Sequence, residues 1–385
     1  MGHMTEERTL IQNTAREFAM KEVLPVANEL DKVKGDIPMS LRDTMGELGY
    51  FGIRIPEKYG GLELGAFEYI IVAEELARAW MSVASIIARG NGLGGFNEEQ
   101  RQKYLPRMAR GEFLGAVALS EPEAGSDLAN VSCRARLDGD EWVINGTKMW
   151  CTFADGADFI TVLCRIGEVE EGRRHGNTSM FFFEKERGSL PDGITGIPIN
   201  KIGYHGWRTF ELHFDDFRVP LSGRLGEERG DDAGFKSAMG FLETARAHTA
   251  ARAVGLARGG LEDATAYAKQ RVQFGKPIAA YQAIRFKLAE MAAEVEAARQ
   301  LTYFVCDQID SGKRCDKEAA MAKWFASEMA ERVTSNALQV HGGYGYTTDL
   351  PIERYWRDAR LTKIFEGTSE IQLRIISDRL IGERW

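Results

Sequence analysis

A short segment near the end of the chain, Ile364-Phe365-Glu366-Gly367-Thr368-Ser369-Glu370, combines residue types that suit proton transfer. Glu366 follows an aromatic residue, and a carboxylate that is partly removed from water has a raised pKa, which makes it a stronger base. Gly367 lets a ligand approach the backbone, and Thr368 is able to cap a following helix. The segment predicts a general base at Glu366, although a plain capping turn explains these residues equally well.

A second candidate site is the octad Ser120-Glu121-Pro122-Glu123-Ala124-Gly125-Ser126-Asp127, which follows a predicted strand. Its small residues, backbone amides and two hydroxyls suit the polar edges of a ligand or a phosphate. A turn with a helix cap also accounts for the octad, and from these residues alone it is the better explanation.

Other chemistry-bearing patterns are weak. The run 90–95 satisfies G-x-G-x-x-G, but a helical segment precedes it where a dinucleotide site needs a strand, so a flexible loop is favoured. No H-E-x-x-H or G-x-S-x-G pattern indicates a zinc protease or a serine hydrolase. The scattered cysteines form no C-x-x-C pair and predict thiols in a reducing compartment rather than disulfides or a metal site; they are Cys133, Cys151, Cys164, Cys306 and Cys315.

Composition narrows the class of protein further. The chain has 385 residues, 44% hydrophobic residues and a net charge of −8, which is typical of a globular protein and argues against nucleic-acid binding through bulk positive charge. No apolar run is long enough to predict a membrane span, and no secretory signal is visible. We therefore expect a cytoplasmic bacterial protein or, as the alternative, a processed protein of an organellar matrix.

The spacing of apolar residues predicts helices at both ends of the chain. In residues 1–115, an amphipathic run that begins at Leu10 is expected to stop at Pro25. In residues 232–385, apolar residues recur every three or four positions from Ile284 to Phe304, which predicts a long helix. Helices of this length favour a four-helix bundle, often with a partner chain on a second face.

Residues 116–231 have a different period and predict a small, barrel-like antiparallel β domain. Asp138-Gly139 and Asn145-Gly146 are typical of hairpin turns. The fold class is therefore mainly α with a central antiparallel β domain. The short apolar or alternating runs that predict its strands are 114–119, 142–144, 159–164, 179–183 and 210–214.

The chain resembles the acyl-CoA dehydrogenase family from about residue 5 onward. Motifs that are each weak alone occur together in the family's order and spacing. That family has a helical N-terminal domain, a β middle domain and a C-terminal four-helix bundle, in agreement with the independent division above. The motifs are Ser120–Asp127, Asn145–Trp150, Arg271–Lys276, Gln339–Gly345 and Phe365–Gln372.

The resemblance implies FAD as the cofactor, bound between the β domain and the bundle and reaching a neighbouring subunit. The residues implied to bind it are Leu119, Ser120 and Ser126 in the first loop; Trp150 and Thr152 against the isoalloxazine ring; Arg271, Gln273, Phe274 and Gln282 at the adenine dinucleotide part; Gln339, Gly342 and Gly343 at the pyrophosphate; and Thr368 and Glu370 at the edge of the site.

The implied reaction is α,β-dehydrogenation of an acyl-CoA thioester to a trans-2-enoyl-CoA. Glu366 would remove the α-proton, while the β-hydrogen leaves as hydride to the flavin. Some family members carry the base on the first long C-terminal helix, but the matching position here is Ala245. The residues implied to contact substrate are Ser126, Arg246, Gly367 and Glu243, with a solvated acid as the equal alternative for Glu243.

Arg89 departs from the family pattern. It falls where related medium-chain enzymes carry a residue at the floor of the acyl pocket. A buried arginine needs a carboxylate or another strong acceptor, so the position suggests an acyl group that is short or that bears a distal polar group, such as a carboxylate; a branched acyl group is also left open. The alternative, somewhat favoured by the sequence alone, is that Arg89 points to solvent or pairs with Glu98 or Glu99.

The resemblance also implies partners. These are an acyl-CoA substrate, an electron-transferring flavoprotein as electron acceptor, and identical subunits in a homotetramer; no metal is expected. Two other enzymes of the same fold stay open, namely one that acts on acyl groups attached to a carrier protein and an oxidase that uses oxygen. A non-catalytic subunit that binds acyl-CoA or flavin is the third alternative, and the presence of Glu366 argues against it.

Overall fold

Helices occupy both ends of the chain and strands its middle in the computed structural model, which describes residues 3–90, 95–168, 176–226 and 242–382. This arrangement confirms the predicted fold class, mainly α with a central β domain. The expected boundary between residues 231 and 232 lies outside the described residues, as does most of the 90–95 run.

Within the described residues, one helix before the sheet, α4, is almost wholly buried, with 13 residues from Ala66 to Ala79 in the core, and it packs on α1 and α5. The sequence wrongly predicts that the first helix stops at Pro25. A π-helical turn, Ala19–Val23, instead joins α1 to α2, and Pro25 lies in the first turn of α2, where its missing N–H costs no intrahelical hydrogen bond. The helices are α1 (Glu6–Phe18), α2 (Leu24–Leu30), α3 (Met39–Glu47), α4 (Ala66–Ala79), α5 (Met81–Ile86) and α6 (Glu98–Ala109).

The strands of the middle region form one sheet in the order β6-β7-β3-β2-β4-β5-β8. Most neighbours are antiparallel as predicted, but β4 pairs in parallel with β1 and also, at Arg134 and Arg165, with β2. The strands are β1 (Gly115–Ala118), β2 (Arg134–Asp138), β3 (Glu141–Thr152), β4 (Phe159–Arg165), β5 (Thr178–Glu184), β6 (Ile194–Pro198), β7 (Thr209–Pro220) and β8 (Arg224–Leu225).

Of the two predicted hairpin turns, the prediction at Asn145-Gly146 is wrong. Asp138-Gly139 does connect β2 to β3, but Asn145-Gly146 lies inside β3 at a β-bulge. Gly146 has φ +139°, and a Cβ there would lie 2.7 Å from the Cα of Cys133. The glycine therefore serves a bulge and a close contact with the neighbouring strand, not a chain reversal.

The C-terminal region consists of helices that pack on one another, and α7 also packs on α4. Close approach to α4 depends on Gly255, where a Cβ would lie 2.4 Å from the carbonyl oxygen of Glu74. The predicted long helix from Ile284 to Phe304 lies within α8. The elements are α7 (Leu242–Gln270), a hairpin of β9 (Val272–Gln273) and β10 (Lys276–Pro277), α8 (Gln282–Asp310), α9 (Asp316–His341), α10 (Ile352–Thr362) and α11 (Ser369–Ile381). None of the helices in the described ranges has the length and apolar character that crossing a bilayer requires.

Candidate active site

Glu366 lies in the turn that connects α10 to α11. Its backbone is left-handed, with φ +56°, and Gly367 follows with φ +90°. Thr368 ends the turn, because its hydroxyl accepts a hydrogen bond from the N–H of Ile371 and thereby caps α11. A left-handed glutamate costs about 1 kcal/mol or more and persists only where its surroundings hold it, so the turn directs this side chain specifically.

The Glu366 carboxylate is held by two donors on α7. Arg252 Nη2 donates to Oε1 at 2.6 Å, and the Thr249 hydroxyl donates to Oε2 at 2.5 Å. Arg252 is buried, donates from Nη1 to Ser85 Oγ at 2.7 Å, and has its Cζ 4.6 Å from the centroid of the Phe365 ring. The Glu366 side chain itself stays 33% exposed. The arrangement fixes one carboxylate at an opening while its partner lies in the core.

The pKa of Glu366 differs from the sequence prediction. Burial raises this pKa, as predicted, but the charge of Arg252 and the hydrogen bonds from Thr249 and Arg252 more than offset burial, so the pKa is lowered. His248 lies nearby, but burial lowers its pKa to about 3, so at neutral pH it is uncharged and its Nε2 bonds to the carbonyl oxygen of Ala84. Arg252 is therefore the charge that keeps Glu366 ionised.

A buried lysine supports the backbone of the same turn. Lys323 Nζ donates to the Gly367 carbonyl oxygen at 2.7 Å, and the Gln372 side chain donates to the same oxygen at 3.0 Å. Burial lowers the pKa of Lys323 to about 8. These two donors fix the backbone of the turn and leave the Glu366 side chain partly exposed.

Sequence reasoning missed Thr249, Arg252 and Lys323. A usable signal existed in the helix that became α7. His248 and Arg252 are four residues apart in a run rich in alanine and glycine, and ionisable groups on such a buried face need specific partners. The identity of those partners depends on the fold, since Glu366 is 114 residues away in the chain.

Aromatic side chains form a wall beside Glu366. The Tyr204 ring lies 5.8 Å from that of Phe365 and 5.2 Å from that of Trp207. Trp207 also contacts Phe153, with 5.8 Å between centroids, and Arg89 stacks on Trp207 with its Cζ 5.4 Å from the ring centroid. Tyr204, Trp207 and Phe153 are buried, and the row of rings runs from the residue before Glu366 to Arg89.

The structure answers only part of the alternative that the sequence favoured for Arg89. The side chain is half-buried: its Nε is buried and its guanidinium lies over Trp207, while the Nη atoms are not among the buried atoms that lack a partner. Glu98 bonds to the Tyr59 hydroxyl at 2.8 Å and lies 3.8 Å from Lys58. In the described ranges, no ion pair joins Arg89 to Glu98 or Glu99.

The 120–127 octad is a rigid turn anchored by Glu121. This buried carboxylate accepts hydrogen bonds from the backbone of Ser132 and Cys133 and from Lys148 Nζ at 2.7 Å. Burial raises the pKa of Glu121, but the charge of Lys148 and these hydrogen bonds lower it overall. The turn that the sequence favoured is present, and its fixed shape is what a ligand-binding loop requires.

The predicted ligand-binding residues of this loop differ in their exposure to solvent. Ser126 is exposed, whereas Leu119 and Ser120 are half-buried. The Leu119 carbonyl oxygen accepts from Lys148 Nζ at 3.1 Å, and the Ser120 carbonyl oxygen accepts from the Met149 N–H at 2.8 Å. The loop therefore lies directly beside the strand segment that carries Trp150.

Trp150 is the most prominent predicted cofactor residue on β3. A register shift between Lys148 and Cys151 breaks the pairing with β7, and Trp150 there has φ +62° and is 57% exposed. Two residues later, the Thr152 hydroxyl bonds to the Thr209 hydroxyl at 3.0 Å. The bulge thus presents a large, flat aromatic side chain that the protein leaves largely uncovered.

A cleft of about 500 Å³ brings together four other predicted cofactor residues, although they come from distant parts of the chain. A Cβ at Gly342 or Gly343 would meet no atom within 4 Å, so the glycines leave open space. Small residues beside a guanidinium suit a pyrophosphate. The cleft lies between the β9–β10 hairpin and the end of α9, and its predicted members are Arg271, Gln273, Gly342 and Gly343.

The remaining predicted cofactor residues lie outside the lining of this cleft. Phe274 is 94% exposed, and Gln282 is exposed at the start of α8. Gln339 is exposed on the last turn of α9. Thr368 caps α11, and Glu370 is exposed in its first turn.

The predicted substrate residues on α7 have structural contacts. Glu243 accepts a hydrogen bond from the Cys315 backbone at 3.4 Å and is half-buried, so it is not a fully solvated acid. Arg246 is buried, and its Nε has no hydrogen-bond partner in the described ranges. Arg54 bonds to the hydroxyl of the intervening Thr244 at 2.9 Å. Two arginines therefore lie near the first turns of α7.

Comparison with known proteins matches nearly the whole chain to models of a single protein family. Family models for the N-terminal, middle and C-terminal domains of acyl-CoA dehydrogenase match residues 5–112, 116–217 and 232–381. An acyl-CoA dehydrogenase of Bacillus subtilis strain 168 is 42% identical over 386 residues, which cover 99% of each chain.

Solved structures agree with this similarity. Butyryl-CoA dehydrogenase from Megasphaera elsdenii has a TM-score of 0.91 and 36% identity, covering 98% of this chain and 99% of that one. A chain from the structural study of the electron transferring flavoprotein of Acidaminococcus fermentans has a TM-score of 0.91 and 38% identity, covering 99% of both chains.

Proposed function

Because the chain belongs to the acyl-CoA dehydrogenase family, we propose that Glu366 is the base with which it removes a proton from the α-carbon of an acyl-CoA thioester. Membership makes the chain a flavin-dependent oxidoreductase that uses FAD to dehydrogenate an acyl-CoA. FAD, when bound, accepts the hydride that leaves the β-carbon, so that a trans-2-enoyl-CoA forms.

The observation that carries the assignment is the fixed position of Glu366. Its carboxylate is ionised, held by Arg252 and Thr249, and still one third exposed at the opening. A base must begin ionised, and these donors keep it so. An acyl chain that enters removes water from the carboxylate, and this desolvation raises its pKa toward that of a useful base.

The turn also supplies a donor for the charge that develops on the thioester oxygen. In the described part of the chain, the amide N–H of Glu366 has no hydrogen-bond acceptor. Lys323 and Gln372 hold the next carbonyl oxygen and so restrict rotation of the turn. A preorganised N–H in a site that excludes water stabilises an enolate-like transition state.

Two surfaces of the chain fit FAD. The uncovered Trp150 ring beside the first loop suits the isoalloxazine ring, since offset stacking buries a large aromatic area. The cleft lined by Arg271 and Gly342 suits a pyrophosphate. In this proposal Leu119, Ser120, Ser126 and Thr152 belong to the first surface and Gln273 and Gly343 to the second.

We further propose a homotetramer in which one subunit contributes to a neighbour's FAD site. Phe274 is almost fully exposed at a left-handed φ of +50°, and Phe286 on α8 is 57% exposed. Exposed aromatic side chains of this size are typical of interaction surfaces. Gln282 is exposed on α8, which also carries Phe286, and Gln339 is exposed on the last turn of α9.

Electron-transferring flavoprotein is the proposed electron acceptor. The similarity to a chain from the Acidaminococcus fermentans study of that flavoprotein supports this choice. If only this acceptor reoxidises the reduced flavin, the protein is a dehydrogenase. If air reoxidises the reduced flavin, it is an oxidase. The same assay with acyl groups on a carrier protein tests the remaining alternative.

The test is anaerobic bleaching of the purified, FAD-loaded protein by acyl-CoA thioesters. Glu366→Gln should bind FAD and acyl-CoA but reduce the flavin about 10²- to 10⁴-fold more slowly, because a general base is removed. Glu353→Gln is the matched control, since Glu353 also pairs with an arginine, Arg357, at 2.6 Å but on α10.

Two outcomes would contradict the proposal. Wild-type bleaching rates in flavin-loaded Glu366→Gln would exclude Glu366 as the base. A wild-type protein that takes up FAD but is bleached by no thioester would instead favour a non-catalytic binding subunit.

A further inference from the structure

Arg89 carries a positive charge that no carboxylate neutralises in the described ranges. Its Nε is buried without a hydrogen-bond partner, while its guanidinium stacks on Trp207. The residue ends a 3₁₀ turn, Ile87–Arg89, that follows the buried helix α5. The N–H donors of a guanidinium lie in its own plane, so contact with the indole face does not engage them and leaves them able to bind an acceptor.

Arg89 and Glu366 lie at the two ends of one row of packed aromatic side chains, and we call the region between them the chamber. Both charges act on the same two buried groups, Tyr204 and His248. The Tyr204 ring contacts Phe365 on the Glu366 side and Trp207 on the Arg89 side. An acyl group whose α-carbon meets Glu366 therefore follows the aromatic wall toward Arg89.

The charges of this chamber do not balance. Glu366 already neutralises Arg252 through the 2.6 Å ion pair, and His248 is uncharged at neutral pH. Arg89 is left without a counter-charge among the described residues. A partly buried charge without a partner costs free energy that a carboxylate recovers, and arginine binds a carboxylate through two parallel hydrogen bonds.

We infer that Arg89 binds a carboxylate at the far end of the acyl group, so that the substrate is a CoA monothioester of a dicarboxylic acid. The inference rests on the proposed function, since it takes Glu366 as the reacting end of the chamber. In this proposal the methylene groups between the two ends lie beside Tyr204 and Trp207, whose rings are largely buried.

The same arrangement disfavours an uncharged acyl chain. A methyl terminus at Arg89 would exclude water from the guanidinium and supply no acceptor in return. A site built for a polar group rejects an analogue that lacks it, because the buried polar group is then left unpaired.

The experiment compares two thioesters of equal length on the FAD-loaded protein, a monothioester of a C5 or C6 dicarboxylic acid and the corresponding alkanoyl-CoA. The wild type should prefer the carboxylated thioester by about 10- to 100-fold in kcat/KM. Arg89→Met should abolish or reverse this preference, and Arg89→Lys should retain part of it.

Arg107→Met is the matched control. Arg107 is also a half-buried arginine stacked on an aromatic ring, with its Cζ 4.4 Å from the Phe113 centroid, but it lies outside the chamber. This variant should keep the wild-type preference. Binding of both thioesters to the Glu366→Gln protein can be measured without turnover from the change in flavin absorbance. The carboxylated thioester should bind more tightly than the alkanoyl-CoA in this measurement as well.

The outcomes separate the two proposals. Bleaching of the wild type by the alkanoyl-CoA at a rate equal to or above that of the carboxylated thioester overturns the role of Arg89 and leaves the proposed function intact. Failure of every thioester to bleach the wild type overturns the proposed function itself. Because the wild-type comparison needs no variant, a poorly folded Arg89→Met protein does not prevent the test.

Discussion

The Glu366 carboxylate and the Arg252 guanidinium form a 2.6 Å ion pair that joins the α10–α11 turn to the middle of α7. Arg252 is buried, whereas the Glu366 side chain is one third exposed. The pair therefore connects the core of the bundle to the opening of the candidate active site, and it sets the charge of the proposed base.

Removal of the arginine should change the pH dependence of the reaction. In the wild type the charge of Arg252 holds the pKa of Glu366 low, so Arg252→Met should raise that pKa. Since the base must be ionised, the acidic limb of the kcat/KM profile should move to higher pH. Flavin reduction measured from pH 5 to 9 gives this limb.

Arg252→Lys should move the limb less, because it keeps a positive charge near Glu366. Arg107→Met, which removes an arginine far from the pair, should leave it unchanged. An acidic limb that stays in place in Arg252→Met, or moves to lower pH, would contradict the assigned role of the pair.

A methyl group at Gly342 should impair FAD binding without unfolding the protein. Gly342 has φ +60° and ψ −138°, which L residues rarely adopt, and it lines the cleft. A methyl group would occupy open space where the pyrophosphate is proposed to approach the backbone, so FAD affinity should be at least about tenfold weaker in Gly342→Ala. The flavin-to-protein ratio after dialysis measures the effect.

Gly312→Ala is the control for that substitution. Gly312 also has positive φ, at +66°, and open space around a Cβ, but it lies in the turn between α8 and α9. Equal flavin retention in the two variants would exclude Gly342 from the cofactor site.

Lys323 should make the free energy of unfolding depend on pH in the alkaline range. Burial lowers the pKa of Lys323 to about 8, while the unfolded chain keeps the ordinary value of about 10.4. Between these values the unfolded chain binds more protons, so the free energy of unfolding should rise with pH, by at most about 1.4 kcal/mol per unit. In urea denaturation, the free energy of unfolding of the wild type minus that of Lys323→Met should therefore increase from pH 8 to 10.

Lys363→Met provides the comparison. Hydrogen bonds to Glu328 and Glu331 raise the pKa of Lys363, so over that range this lysine stays protonated in the folded state and largely protonated in the unfolded chain. Its stability difference from wild type should not change between pH 8 and 10. A flat difference for Lys323→Met as well would show that Lys323 is not desolvated.

Local patterns in the sequence determined the elements and the position of the candidate base. Apolar spacing predicted the long helix from Ile284 to Phe304, and strand-like runs coincide with β1, β3, β4, β5 and β7. The Glu366-Gly367-Thr368 series predicted a turn followed by a capped helix, as observed. Such features depend on neighbours within a few residues, which the sequence displays directly.

The tertiary structure alone decided which distant groups meet. It paired Glu366 with Arg252, which reversed the predicted direction of the Glu366 pKa, and it placed Arg89 on Trp207. It also converted the expected turn at Gly146 into a bulge. The physical reason is that desolvation, ion pairing and close backbone contact are set by groups far away in the chain, and local periodicity carries no information about them.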